Sequence, residues 1–299
     1  MRYLLPLILL LLSALPAGAT GFGDRPGEKT AILMVHFGTT YDDTRAANID
    51  ALNDRVRAAF PDTDVFEAYT SRIIISRLRK RGISKPTPQE ALLRLAADGY
   101  THVVVQGSNV IDGIEAEVLR GEASLMAPFF KEIRVGRPLL YSVDDCQNVV
   151  SILRDRFAPR TARNGAVVLI GHGTSTPATA IYSQIDYMFT AAGAPAFHVA
   201  TVEGYPDYET TLAKLKASRA KNVTLVPFML VAGDHARNDI GGEWRENLES
   251  EGFSVTPLLE SLGSIPGIRE IYIDHIRAAL QAPVLDAAAT KAATINATL

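Results

Sequence analysis

Three residues able to bind a divalent metal recur at matching places in the second half of this sequence. His172 follows the apolar run VVLIG, Glu203 follows HVATV and His235 follows MLVAGD. The intervals are 31 and 32 residues, about one strand–helix unit each. Each run therefore delivers its polar residue at the same end of a neighbouring strand, and the three can converge on one point. Two imidazoles and a carboxylate form a borderline donor set that suits Co²⁺, Fe²⁺, Ni²⁺ or Zn²⁺. A neutral imidazole also accepts protons near neutral pH, so the trio can serve both metal binding and acid–base chemistry. This accounts for the stretch VAGDHARND (231–239), where ionisable side chains crowd the end of a strand, VTLVPFML, that reads as buried on both faces.

Such delivery needs parallel strands. TAILMVHFGT, DTDVFEAYTS, THVVVQGS, AVVLIGHGT, AFHVATVEG and NVTLVPFMLVAG are apolar, β-branched runs. Amphipathic helical stretches at 42–60, 87–98, 208–219 and 243–251 separate several of them. That alternation predicts an α/β fold with doubly wound parallel sheets and helices on both faces. The halves also match each other. AILMVHFGTT (31–40) aligns with AVVLIGHGTS (166–175), FEAYTSR (66–72) with FHVATVE (197–203), and VVVQGSNVIDGIE (103–115) with VTLVPFMLVAGDH (223–235). Three matches in one order predict a pseudo-repeat of two similar halves, 28–145 and 146–281, facing across a cleft. Ligands bind such folds at the carboxyl ends of the strands.

The first half carries different residues at the matching places. His36 stands one position before the equivalent of His172 and is expected in the pocket, while Arg72 aligns with Glu203 and Glu115 with His235. SRLRKR (76–81) gathers Arg77, Arg79, Lys80 and Arg81 close after Arg72. Read as function, these cations suit a polyanionic ligand; read as structure, they are a solvated helix face. His102 and His198 begin their strands, at the end away from the cleft.

The chain opens with MRYLLPLILLLLSALPAGAT. A basic n-region, an apolar h-region and an A-x-A site predict a signal peptide at 1–19, cleaved near Ala19, with export to the periplasm and no membrane insertion thereafter. Cys146 is the only cysteine, so no intrachain disulfide is available and stability must come from the core. A net charge of −3 excludes nucleic acid as a bulk partner. The Ala/Thr-rich segment 282–299 lacks apolar periodicity and reads as a disordered tail.

With HFGT, YTSRIII, GHGT, VEGYP and PFMLVAGDHARND in this order, the sequence resembles the class II tetrapyrrole chelatases, and among them the sirohydrochlorin cobaltochelatases. The resemblance runs from about Lys29 to Leu280. It implies ATP-independent insertion of Co²⁺, and of Fe²⁺ as well, into sirohydrochlorin, with His172, Glu203 and His235 as metal ligands. One histidine would also take the pyrrole protons. A heavily carboxylated ring gives the basic residues a partner, with Arg72 and Arg237 as clamps and His36 in the pocket. His102, remote from the cleft, becomes a candidate ligand for haem held at the surface or between subunits of a homo-oligomer. Relatives in the family carry Ser at His36 and His at Asn109, and are generally cytoplasmic. Two alternatives remain open: a periplasmic metal- or haem-binding protein without turnover, and a ferrochelatase acting on protoporphyrin.

Overall fold

The computed structural model describes residues 22–23, 25–233 and 236–282. The signal segment 1–19, nearly all of the tail 282–299, Asp234, His235 and the side chain of Arg237 lie outside the described residues. Among those described, no helix is long and apolar enough to cross a membrane.

Two four-stranded, all-parallel sheets carry the fold. The first contains β1 (Thr30–His36), β2 (Asp64–Tyr69), β3 (His102–Gly107) and β4 (Glu132–Val135), in the order β2-β1-β3-β4. The second contains β5 (Gly165–Gly173), β6 (Phe197–Glu203), β7 (Asn222–Pro227) and β8 (Ser254–Pro257), in the order β6-β5-β7-β8. The permutation is the same in both. In each sheet the chain leaves the central strand to one side and then crosses to the other, which opens a crevice at the carboxyl ends of β1 and β3, and of β5 and β7.

Helices follow the strands. In the first half they are α1 (Asp42–Arg45) and α2 (Ala51–Ala59), joined by a π-helical turn at Ala46–Asp50, then α3 (Arg72–Lys80), α4 (Pro88–Ala97) and α5 (Ile114–Met126). Then come α6 (Val143–Phe157), α7 (Ala180–Ala191), α8 (Tyr208–Ala217), α9 (Arg245–Ser250) and α10 (Pro266–Gln281). Local chemistry sets several of their starts. Thr87 with Glu90 and Ser142 with Asp145 form capping boxes at α4 and α6, and Asp207 caps α8 by accepting from the Thr210 amide at 2.9 Å.

The central strands are buried on both faces, and their alternation sorts the core into three layers. Ala31, Leu33 and Val35 face an outer cluster with Leu92, Leu95 and Leu119 from α4 and α5. Ala166, Val168 and Ile170 face a second outer cluster with Leu212 and Trp244. The intervening residues, Ile32 and Met34 of β1 and Val167 and Leu169 of β5, share one cluster between the sheets with α6, α7 and α10. The two halves are thus joined by a common core.

The last helix reinforces the join. α10 comes from the end of the second half but packs on α2, β3 and β4 of the first. The Tyr272 hydroxyl donates to the carbonyls of Ser108 and Asn109 at 3.1 and 3.2 Å. Arg55 clamps Glu270 through two hydrogen bonds of 2.7 and 2.8 Å, and Arg134 donates to the Ala279 and Leu280 carbonyls at 2.7 and 2.9 Å. The Arg134 bonds satisfy carbonyls that the end of a helix otherwise leaves unpaired.

Candidate functional site

β5 is the central strand of the second sheet, flanked by β6 and β7. His172 lies at its exposed carboxyl end, and Glu203 is the last residue of β6, also exposed. Gly173, next after His172, pairs in register with Glu203. This pairing depends on glycine, because Gly173 has φ +88° and a Cβ there would overlap the Glu203 carbonyl. Thus two of the three proposed ligands stand at one edge of adjacent strands.

Each is supported locally. The His172 Nδ1 is 3.2 Å from the Gly173 carbonyl. A carbonyl only accepts, so the neutral ring carries its proton on Nδ1 and its lone pair on Nε2. The turn after Glu203 is tied down by Thr201, whose amide and hydroxyl donate to the Pro206 carbonyl at 2.8 and 3.0 Å. The Thr179 hydroxyl donates to the Tyr205 carbonyl at 3.2 Å, so the β6 turn is bound to the segment that follows β5. Neither threonine was legible as a support for the site, since hydroxyl-to-carbonyl contacts leave no pattern in sequence.

β7 ends at Pro227 beside β5, and the Phe228 amide donates to the Ile170 carbonyl at 2.7 Å. The following segment reaches into the first half: Val231 packs against Ile49, Tyr69, Ile75 and Leu78. His235 itself lies outside the described residues. Among the described residues, no group of three His, Cys, Asp or Glu gathers closely enough to hold a metal.

The first-half residues fall elsewhere than the sequence suggested. His36 does not open onto the cleft: it is 1 % exposed, with Nδ1 2.9 Å from the Ser108 hydroxyl and Nε2 3.0 Å from Asn53 Oδ1. Both ring nitrogens are committed to a buried network that continues from Asn53 through Glu67 to Lys85. Arg72 is exposed in the first turn of α3, but it is not the counterpart of Glu203. β2 pairs Phe66 with Leu33, whereas β6 pairs His198 with Val168, the counterpart of Leu33. The second sequence match is therefore displaced by one residue, and Ser71, the N-cap of α3, occupies the place of Glu203. His102 is buried at the start of β3, with Phe22 edge-on to its ring, Nδ1 2.9 Å from the Thr101 hydroxyl and Nε2 3.9 Å from Glu28.

Burial pushes the His36 imidazole below its ordinary value of 6.5, against the opposing pull of nearby Glu67. His198 is lowered in the same way by burial. Both rings are therefore neutral when folded and take up protons once unfolded. A depressed folded value means that stability is full above about pH 6.5 and falls as the pH drops below it. Denaturant unfolding is expected to show a declining free energy from about pH 7.5 to about pH 5, and His36→Asn should flatten part of that slope. An unchanged slope in the variant would show that His36 does not contribute.

The fold and this strand edge define a chelatase-like α/β protein. A family model described as cobalt chelatase (CbiK) matches residues 30–281, and the chain belongs to that family. It is 40 % identical over 265 residues to the sirohydrochlorin cobaltochelatase of Salmonella typhimurium, covering 87 % of this chain and 100 % of the relative. It is 30 % identical over 263 residues to the sirohydrochlorin cobaltochelatase CbiKC of Nitratidesulfovibrio vulgaris, covering 86 % and 93 %. Among solved structures, SirB of Bacillus subtilis with Fe³⁺ superposes with a TM-score of 0.60 at 18 % identity, over 84 % of this chain and 96 % of that one, a likeness of fold.

Proposed function

We propose that the protein inserts Co²⁺ into sirohydrochlorin without ATP, using His172, Glu203 and His235 as the residues that receive the metal. The observation that carries this reading is the Gly173–Glu203 register, which puts His172 and Glu203 at the carboxyl ends of neighbouring strands, the edge where ligands bind this class of sheet. Family membership supplies the reaction class. β7, after which His235 comes in the sequence, flanks β5 on the side away from β6.

The reaction exchanges one divalent ion for two pyrrole protons. Pyrrole N–H is a very weak acid, so proton removal must accompany metal approach. The lone pair on His172 Nε2 can hold the ion or accept a proton, and Glu203, exposed at the strand end, balances the metal's charge and passes protons to solvent. Arg72 is the candidate partner for a ring carboxylate, with Arg237 a second. With no thiolate in the donor set, late first-row dications are all acceptable. Co²⁺ and Fe²⁺ are expected to be inserted at initial rates within roughly a hundredfold of each other, measured anaerobically at matched free metal.

The decisive assay mixes purified protein with excess sirohydrochlorin and Co²⁺. Catalytic absorbance change over many equivalents supports a chelatase; change that stops at one equivalent supports a binding protein. Parallel turnover of protoporphyrin in preference to sirohydrochlorin would favour the ferrochelatase alternative, which the nearby arginines argue against. The buried setting of His102 weighs against its use as a haem ligand, and a haem titration without a new Soret band would dispose of that role.

Export is a separate part of the proposal, resting on the N-terminal segment alone. Mass spectrometry of protein from the periplasmic fraction should give an N-terminus at or near Thr20. Intact Met1 in the cytoplasm would overturn it.

A further inference from the structure

Three exits lie side by side at the carboxyl edge of the first sheet, those of β2, β1 and β3, and each presents a large apolar side chain to solvent. Ile73, in the first turn of α3 after β2, is 67 % exposed; Phe37, directly after β1, is 57 % exposed; Ile114, which opens α5 after β3, is 48 % exposed. Side chains of this size gain by leaving water, so three exposed along one sheet edge need a reason, and grouped apolar exposure marks binding surfaces.

The seating of these residues is built into the fold. Gly38 takes φ +101° and sits so close to Tyr69 that a Cβ would overlap the ring, which turns the chain sharply after Phe37 and keeps that side chain out of the core. The Ser71 amide donates to the Phe37 carbonyl at 3.2 Å, and the Ser71 hydroxyl caps α3, so Phe37 and Ile73 are fixed relative to each other. A Cβ on Gly113, the residue before Ile114, would come within 4.0 Å of the Thr174 hydroxyl. The β3 exit therefore lies against the segment that follows His172.

The sheet registers give these positions a meaning. Counted along the equivalent strands β1 and β5, Phe37 occupies the place of His172; counted along β2 and β6, Ile73 occupies the place of Tyr205, itself exposed two residues after Glu203. At the central exit the second half thus sets a proposed metal-binding imidazole and the first half an apolar ring, while Ser71 and Glu115 take the places of Glu203 and His235.

We propose that Phe37, Ile73 and Ile114 form the platform on which the flat face of the tetrapyrrole rests while its centre meets the ligands of the second half. This deepens the function proposed above and rests on it. The occupant is chosen by chemistry: an apolar face rimmed with carboxylates matches an apolar patch with the exposed Arg72 beside Ile73. Glu115, beside Ile114, lies within 3.5 Å of the Thr70 hydroxyl, which hydrogen-bonds its carboxylate.

The test is a titration of the full-length protein with metal-free sirohydrochlorin, followed by absorbance, with Co²⁺ binding measured separately. A triple variant, Phe37→Ser with Ile73→Ser and Ile114→Ser, should weaken ring binding by about tenfold or more, since the contact area is lost. Its Co²⁺ affinity without the ring should change by less than about twofold, because the two contacts are separate. If the triple variant does not fold, Phe37→Ser alone should weaken the ring by about threefold with Co²⁺ affinity kept. Val118 and Leu125, exposed further along α5, serve as controls whose conversion to Ser should leave ring affinity unchanged. Wild-type ring affinity in the triple variant overturns the platform. So does a change in oligomeric state at unaltered ring affinity, which would assign the patch to a second copy of the chain. Failure of the wild-type protein to bind the ring at all would instead strike the functional reading beneath it.

Discussion

Replacing His172 by alanine is expected to lower cobalt insertion at least about a hundredfold, the low end for a lost acid–base group, while the melting temperature stays near that of the parent. The reason lies in its placement. His172 is exposed at the end of β5, so its side chain carries little packing, and Nε2 is the atom assigned the chemistry in the proposal above. His235→Ala should behave alike in turnover. Glu203→Gln preserves shape and removes the charge, so it should weaken Co²⁺ binding more than ring binding. Near-parental turnover in the His172 variant would end the ligand assignment, and equal weakening of metal and ring by Glu203→Gln would remove that residue from it.

The second large effect is expected at a residue with no side chain. Gly173→Ala places a methyl group on a backbone with φ +88° and against the Glu203 carbonyl. The strained conformation alone costs about 1–3 kcal/mol, and the overlap must also push β6 away from β5. Insertion should then fall by about tenfold or more in the fraction that folds, because misplacement of a reacting group by about 1 Å is costly. Gly121→Ala is the matched control: it lies on the exposed face of α5 with open space around the added methyl, and should stabilise by about 0.5–1 kcal/mol. Equal behaviour of the two variants in thermal melts and assays would show that the β5–β6 register is not needed.

The long apolar strands were legible because central parallel strands are buried on both faces and read as unbroken Val, Ile and Leu runs. β4 (EIRV) and β8 (SVTP) were not, being four-residue edge strands of mixed polarity. His172 and Glu203 could be placed by spacing, since one strand–helix unit sets the interval between neighbouring exits. His36 could not, because its fate depends on which face of β1 it takes, and the partners that bury it, Asn53 and Ser108, come from distant segments. The one-residue displacement between β2 and β6 was also invisible. Phe66 and Phe197 look equivalent, yet only the pairing with β1 and β5 fixes which side chains share a face. The match of β3 with β7 holds in register, so the third alignment was sound. Phe37 was within reach, since the first alignment already put it opposite His172; its apolar character hid it from a search for ligands.

The shared layer of side chains between the sheets bears on how so large a planar molecule gets in and out. In two-lobed proteins whose lobes own separate cores, a ligand is engulfed by hinge closure. Here Ile32, Met34 and Leu52 of one half belong to the same packed cluster as Val167, Leu169 and Ile273, and α10 is bolted across through Tyr272 and Glu270. Opening the lobes would tear that cluster apart, at a cost far beyond what one binding event returns. Binding at the strand-end crevice is therefore expected to leave the lobes in place, with any adjustment left to the turns at its rim. Such a protein should melt in a single cooperative step, the two halves losing their common core together.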